Sequence, residues 1–434
     1  MKRHLSALCA TAGLSLALSL GLTATASAQN VVITNARIID GTGKVIERGS
    51  LVARDGRIVS VGTGAAPSEK GAARIDARGM TIMPAFIDAH RHLIRGPAAP
   101  WLADQAGPAM KAFVDAGFTT VFSMGDDPQG ILELRRRLKD GELAGPRLYA
   151  ARVVPLARSI PPSPVPAPPS QYHDPGRTDP ARPPRPVAAP EGIPDSDTRA
   201  AVDAAKQQGF DAIKTILVAT PGGPEGHTLS VIVDEAHKQG LRVYTHATNY
   251  IDTLTAVNSK VDVLAHTPHI GQLEENVPAR DFIAHSGIPM VSTLQVFIPH
   301  FDETNAPLYR DGGPYPMPRP LSSAGQGPVN ARLLFDAGET YAYGTDTTWD
   351  PRISLGDELR ALSLVFSPRD IVKIMGPNTA AAIDRAADLG TLEPGKLADV
   401  VMIDGDPLKD INLLTQTVLV LKEGRVVSDK RPAR

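Results

Sequence analysis

The chain has 434 residues, 42% of them hydrophobic and 21% charged, an ordinary globular composition that excludes a disordered or fibrous protein and allows a sizeable core. With 45 basic residues against 47 acidic ones, the formal net charge of −2 points to neither nucleic acid nor an acidic membrane surface. A small molecule is the expected partner, and the length fits two structural units.

Lys2, Arg3 and His4 precede an apolar stretch from Leu5 to Leu22 and the small-residue pattern Ala26-Ser27-Ala28. That is the arrangement of a secretory signal peptide cut after Ala28, so the mature chain is expected in the periplasm or medium. The cleavage pattern and the interrupting Ser, Thr and Gly argue against a membrane anchor, and Cys9 lies too early in the run for a lipid anchor. Cys9 is the only cysteine and leaves with the peptide, so a mature chain has neither disulfides nor thiolate ligands. Any metal must then be held by His, Asp, Glu or a Lys-derived oxygen. No second apolar run approaches the roughly 20 residues that span a bilayer.

From Val31 to Met83 short strand patterns alternate with glycine turns, including an Asp55-Gly56 hairpin signal. The last stretch repeats that character in LADVVMID and VLVLKEGRVVS, so residues 29–83 and 389–434 are expected to pair as one small β-sheet unit. Between them, residues 84–388 alternate apolar runs with helical patterns, the signature of a parallel sheet. The candidate strands are TIMPAFIDAH, TTVFSM, RLYAARVV, DAIKTIL, RVYTHA, DVLAHT, IPMVSTL and TYAYGTD, with helices stopping before Gly209, Gly240, Gly287 and Gly338. Eight such units make a (β/α)8 TIM barrel the economical α/β fold. A doubly wound open sheet is the alternative, but no Gly-x-Gly-x-x-Gly fingerprint follows a strand. Between residues 155 and 190, 13 of 36 residues are proline, which reads as a polyproline-like loop leaving the C-terminal face of the barrel. A lid and a variable surface insertion both fit it. A second long loop, 298–327, follows the seventh strand.

Asp88-Ala89-His90-Arg91-His92 ends the first barrel strand, and alternation points His90 and His92 to one side at a spacing suited to one metal. Taken alone, the pair could equally be hydrogen-bonding residues. Lys214 sits inside DAIKTIL, where an ammonium facing the interior is costly unless it is paired or chemically changed; the alternative is that it faces out. His246 ends VYTHA, His266 ends DVLAH and Asp346 ends YAYGTD. Five strands thus bring metal-type residues to the C-terminal face of one barrel, where active sites sit.

The ordered stretches NARIIDGTG, GMTIMPAFIDAHRH, FDAIKTI, VYTHA, VDVLAHT, YGTD and LGTLEPGKLADVVMIDGDPLKDI resemble the amidohydrolase superfamily, in its prolidase-like and imidazolonepropionase-related branch. The resemblance covers nearly the whole mature chain and implies a small β-sandwich beside the barrel. It implies two divalent metal ions, with His90, His92 and Asp346 holding the more buried one and His246 and His266 the other. Lys214 would bridge them as a carbamate formed with CO2. Imidazole and carboxylate ligands suit Zn²⁺, with Mn²⁺, Fe²⁺ and Co²⁺ as alternatives. A metal-bridging hydroxide would attack the substrate carbonyl, and Asp346 would pass a proton to the leaving amine. Arg91 departs from the small or apolar residue expected between the histidines. Alternation points it away from them, toward a salt bridge or the Pro-rich loop.

His227, His269 and Tyr244 are candidates for substrate contact; Tyr244 lies deeper than His246 on the same strand face, where packing competes with that role. Asp88 either orients a ligand histidine or serves a turn, and His237 and His285 read as structural. Arg152, Arg158 and Arg310 are candidates for a substrate carboxylate, with surface charge as the alternative. The leading expectation is an exported amidohydrolase cleaving a dipeptide, Xaa-Pro-like, or an N-acyl amino acid. A hydrolase of a cyclic amide, lactone or ester is the alternative enzyme, and a periplasmic solute-binding protein the alternative outside enzymes. A homo-oligomer is left open.

Overall fold

The computed structural model describes residues 30–64, 71–157, 192–220, 222–297 and 323–431. The export signal, nearly all of the Pro-rich stretch, most of the 298–327 loop, Arg158 and Arg310 lie outside the described residues.

The N-terminal sheet strands are β1 (Val31–Ile39), β2 (Val45–Arg54), β3 (Arg57–Thr63), β4 (Ala73–Asp76) and β5 (Thr81–Pro84). The C-terminal ones are β14 (Val400–Ile403), β15 (Thr417–Lys422) and β16 (Arg425–Asp429). They join in the order β16-β15-β14-β5-β1-β2-β3, with β4 beside β1, because β5 pairs antiparallel with β14. The two ends of the chain therefore make one unit, around a core that includes Ile33, Ile38, Leu51, Ile82, Met402 and Leu421. The Asp55-Gly56 hairpin turns with φ of 51° and 78°, both positive as a two-residue turn of this hand requires.

The expected barrel is present as eight parallel strands, β6 (Phe86–Arg91), β7 (Phe118–Ser123), β8 (Arg147–Val153), β9 (Ala212–Ile216), β10 (Arg242–His246), β11 (Val263–Ala265), β12 (Met290–Val291) and β13 (Tyr341–Ala342), each pairing with the next. The run TIMPAFIDAH is two strands: Thr81–Pro84 belongs to the terminal sheet and Phe86–Arg91 opens the barrel. The seam between first and last strands is bridged by Ala89 N donating to Tyr343 O (3.1 Å) and Asp346 N donating to His90 O (2.7 Å). Ile87, Phe122, Ala151, Ala212, Tyr244, Val263, Val291 and Ala342 fill the interior. Barrel and sheet are tied by Arg147, which donates to Thr120 Oγ1 (2.8 Å), Asp399 Oδ2 (3.1 Å) and Glu423 Oε1 (2.7 Å). Among the described residues no helix is long and apolar enough to cross a membrane.

One buried acid predicts how stability varies with pH. Glu339 accepts one hydrogen bond from Thr340 N, its second oxygen has none, and burial pushes its carboxyl up to about 9. A carboxyl raised in the fold favours folding in its protonated form, so its contribution is complete below about pH 4.5 and is lost as pH rises toward 9. The loss is at most about 1.4 kcal/mol per pH unit. Glu339→Gln is therefore expected to match the parent at pH 5 and to melt higher at pH 8. Equal melting temperatures across that range would contradict this.

Candidate active site

The site starts from an irregularity in β6. Asp88 pairs with Val121 and Arg91 with Ser123, so three steps of β6 face two of β7 and one residue is extra. Val121 and Ser123 share a strand face, and so Asp88 and Arg91 both turn outward, 3.9 Å apart. His90 and His92 flank Arg91 and turn to the mouth, where each Nε2 meets Asp346 Oδ1, at 3.2 and 3.0 Å. His266 Nδ1 lies 3.9 Å from the other oxygen of Asp346. Potential ligand atoms of His90, His266 and Asp346 all fall within 4.8 Å of one another. The His246 ring sits 4.5 Å from that of His266, centroid to centroid. Gly344 makes the approach possible, because a Cβ there would lie 2.4 Å from Val291 Cγ1 and 2.9 Å from His90 Cβ.

Burial sets the charge states. Lys214 is 4% exposed and its Nζ has no hydrogen-bond partner among the described residues. Burial brings its amine down to about 7, against the pull of the Asp346 carboxylate. His90 is lowered to about 4 and His246 to about 3, first by burial and then by the Lys214 charge, and burial with His246 drives His266 well below its usual range. Burial alone would raise Asp346, but His90 and the hydrogen bonds of His90 and His92 hold it well below the ordinary carboxylate range. Neutral imidazoles beside a carboxylate and an amine brought down to about 7 can serve as ligands rather than salt-bridge partners. The donor set fits divalent cations, and the orphaned amine of Lys214 fits conversion to an anionic ligand.

Sequence reading missed the groups that hold these ligands. Thr293 Oγ1 is 2.7 Å from His266 Nδ1. Three non-glycine residues at this rim have positive φ: His266 (85°), Thr293 (42°) and Asp346 (50°). Such backbone persists where the surroundings over-determine it. Glu358, fully buried on the helix Pro351–Ser363, accepts from Ser292 Oγ (2.6 Å), Leu294 N (3.1 Å) and Gln295 N (2.9 Å), while Gln295 Nε2 donates to Thr345 O (2.9 Å). The one available signal is a glutamate on a helix face that also carries Ser354, Leu355, Ala361 and Leu362. Asp88 serves backbone more than histidine: Oδ1 accepts from His90 N (3.1 Å) and Thr345 N (3.2 Å), and Oδ2 from Thr345 Oγ1 (2.6 Å).

The weaker candidates scatter. Tyr244 is stacked on Phe122 and donates to Ala382 O (2.8 Å), so it packs the barrel floor. His227 lies on the helix Glu225–Lys238 instead of a loop, is largely exposed and pairs with Asp195 (2.9 Å). His269 is buried just beyond β11, and burial lowers it to about 4. Arg152 pairs with Ile213, a residue of the outer core, and so faces away from the mouth. His237 pairs with Asp262 (2.9 Å) and His285 caps the helix Val277–Ala284.

A parallel barrel that collects nitrogen and oxygen donors from the ends of five strands defines a metal-binding hydrolase type of site. A sequence profile of the amidohydrolase family matches residues 81–427, and the chain belongs to that family of hydrolases. It is similar to an imidazolonepropionase of Thermoanaerobacter pseudethanolicus, 28% identical over 183 residues, 40% of this chain and 36% of that one. The match thus spans about a third of that relative's length. An N-acyl-D-aspartate deacylase of Alcaligenes xylosoxydans xylosoxydans is 47% identical over 62 residues, 14% of this chain and 12% of that one. In fold the chain is similar to a Xaa-Pro dipeptidase crystallised with methionine in the active site, with a TM-score of 0.72 at 22% identity over 92% of this chain and 99% of that one.

Proposed function

We propose that the protein is an exported, metal-dependent amidohydrolase that cleaves the amide bond of a dipeptide, Xaa-Pro-like, or of an N-acyl amino acid. One observation carries the reading: His90, His92, His246, His266 and Asp346 surround a barrel mouth in which the buried Lys214 amine has no hydrogen-bond partner among the described residues. His90, His92 and Asp346 would hold one divalent ion, His246 and His266 a second, with Zn²⁺ favoured by the imidazole and carboxylate donors. The neutral Lys214 amine would add CO2, forming an N–C bond and releasing one N–H proton, and the resulting carbamate would serve both ions. When bound, such ions polarise a carbonyl and bring the pKa of water toward 7.

The chain's own groups supply the proton transfers. Asp346 is ionised at neutral pH and stands at the mouth, so it can take a proton at a carboxylate oxygen and return it to the departing nitrogen. That return decides amide cleavage, since an amide nitrogen leaves poorly unprotonated. The likeness to a Xaa-Pro dipeptidase and to an N-acyl-D-aspartate deacylase supports this substrate class.

The test is release of free amino acids from a mixed library of dipeptides and N-acyl amino acids, read by mass spectrometry with and without a chelator. Multiple-turnover, chelator-sensitive release is expected, and it excludes a pure binding protein. No release by protein shown to contain its metals would shift the assignment to cyclic amides, lactones or esters. N-terminal sequencing of the secreted chain, expected to begin at Gln29, tests export.

A further inference from the structure

Asp346 carries two demands at once, since its backbone has φ of 50° and its Oδ1 lies 3.2 Å from His90 Nε2 and 3.0 Å from His92 Nε2. Such backbone persists at a site where the surrounding structure over-determines it. Here both neighbours are held by one side chain. Arg91 Nη1 donates to Thr345 Oγ1 and to Thr347 Oγ1, each at 2.7 Å, and Nη2 donates to Trp349 O. Thr345 Oγ1 in turn donates to Asp88 Oδ2 (2.6 Å), and Thr347 Oγ1 meets Ser354 Oγ (2.8 Å) at the head of the next helix. The guanidinium is 1% exposed and lies over the Phe113 ring at 5.1 Å, so water offers no substitute partner.

We infer that Arg91, working with Asp88 from the outer face of β6, is a positioning residue that locks Asp346 against the His90–His92 pair and so sets how tightly the site keeps its metal. The inference rests on the metal-hydrolase reading above. A planar fork with donors in fixed directions can span the residues on either side of Asp346 and reach Trp349 as well; a lysine ammonium cannot take that geometry. The extra residue in β6 is what turns Asp88 and Arg91 to the same side, next to this loop. Arg91 therefore acts on the site through the loop and touches no ligand itself.

The experiment compares the full-length parent with Arg91→Gln, Arg91→Lys and Thr347→Val, all loaded with Zn²⁺ and then mixed with a chelator, and separately loaded with Co²⁺ for visible spectra. Folding is checked by circular dichroism. Partners of this kind are worth about 10–100-fold in metal affinity or activity. Arg91→Gln is expected to release Zn²⁺ faster and lose kcat within that range, with KM within about 3-fold and a changed Co²⁺ spectrum. Arg91→Lys should recover only part of the loss, and Thr347→Val, which removes one acceptor and no charge, should shift the same readouts by less. Parent-like release, spectra and kcat in folded Arg91→Gln and Thr347→Val would overturn the inference; if Arg91→Gln does not fold, Thr347→Val decides alone. A parent that binds no metal would sink the metal-hydrolase reading and this inference together, whereas a metal-binding parent with unaffected variants sinks this one only.

Discussion

Asp346→Asn should lower kcat by about 10²–10⁴-fold, the range expected when a positioned proton carrier is lost. The amide keeps the shape of the carboxylate and one oxygen, so the left-handed backbone and the bond from Asp346 N to His90 O are unaffected. What disappears is the charge that the neighbouring histidines stabilise and the ability to move a proton. Asp346 is also a proposed ligand, so metal content must be measured beside turnover. A variant with parent-like metal content and little activity assigns the loss to proton transfer, and one without metal assigns it to ligation. Full activity in Asp346→Asn would refute the mechanism.

Lys214→Ala should be as damaging, by a different route. Removing the amine deletes the group proposed to become the bridging anion, leaving the His90 and His246 sides of the mouth without a shared ligand. Metal content should fall along with activity, and a small carboxylate such as acetate should restore part of both by occupying the vacated space. In the parent, the neutral amine is the form that would add CO2, and its fraction rises with pH through about 7. At a fixed concentration of dissolved CO2, activation of metal-free protein by Zn²⁺ should therefore require that CO2 and speed up from pH 6 to pH 8. Unchanged metal binding in Lys214→Ala, or activation indifferent to CO2, would remove Lys214 from the site.

The order of the barrel strands and the terminal pairing were legible in the sequence because hydrophobic runs bounded by glycine stops report buried parallel strands directly. Their lengths were not: TYAYGTD reads as seven strand residues, yet β13 is Tyr341–Ala342, and the rest is the irregular rim that carries Asp346. A continuous apolar run also hid the break at Ala85, since Thr81–Pro84 and Phe86–Arg91 are equally buried but in different sheets. Alternation placed His90 and His92 together. It could not reveal the extra residue that turns Asp88 out beside Arg91, because a bulge is decided by the partner strand. Thr293, Gln295 and Glu358 act only through contacts between distant segments, which no local pattern encodes. His227 went astray for the simpler reason that the helix Glu225–Lys238 begins before it, and its first turn meets Asp195 instead of the mouth.

The seam of the barrel, where Asp346 N meets His90 O, is also the centre of the site. During synthesis the first histidine pair leaves the ribosome long before the strand that closes upon it. A chain ending before residue 346 carries the four histidines of the mouth and lacks Asp346, and the terminal sheet needs β14 to join β5. On the metal-site proposal, capture of metal is coupled to ring closure, and a product truncated before residue 346, which lacks Asp346, is expected to be inactive.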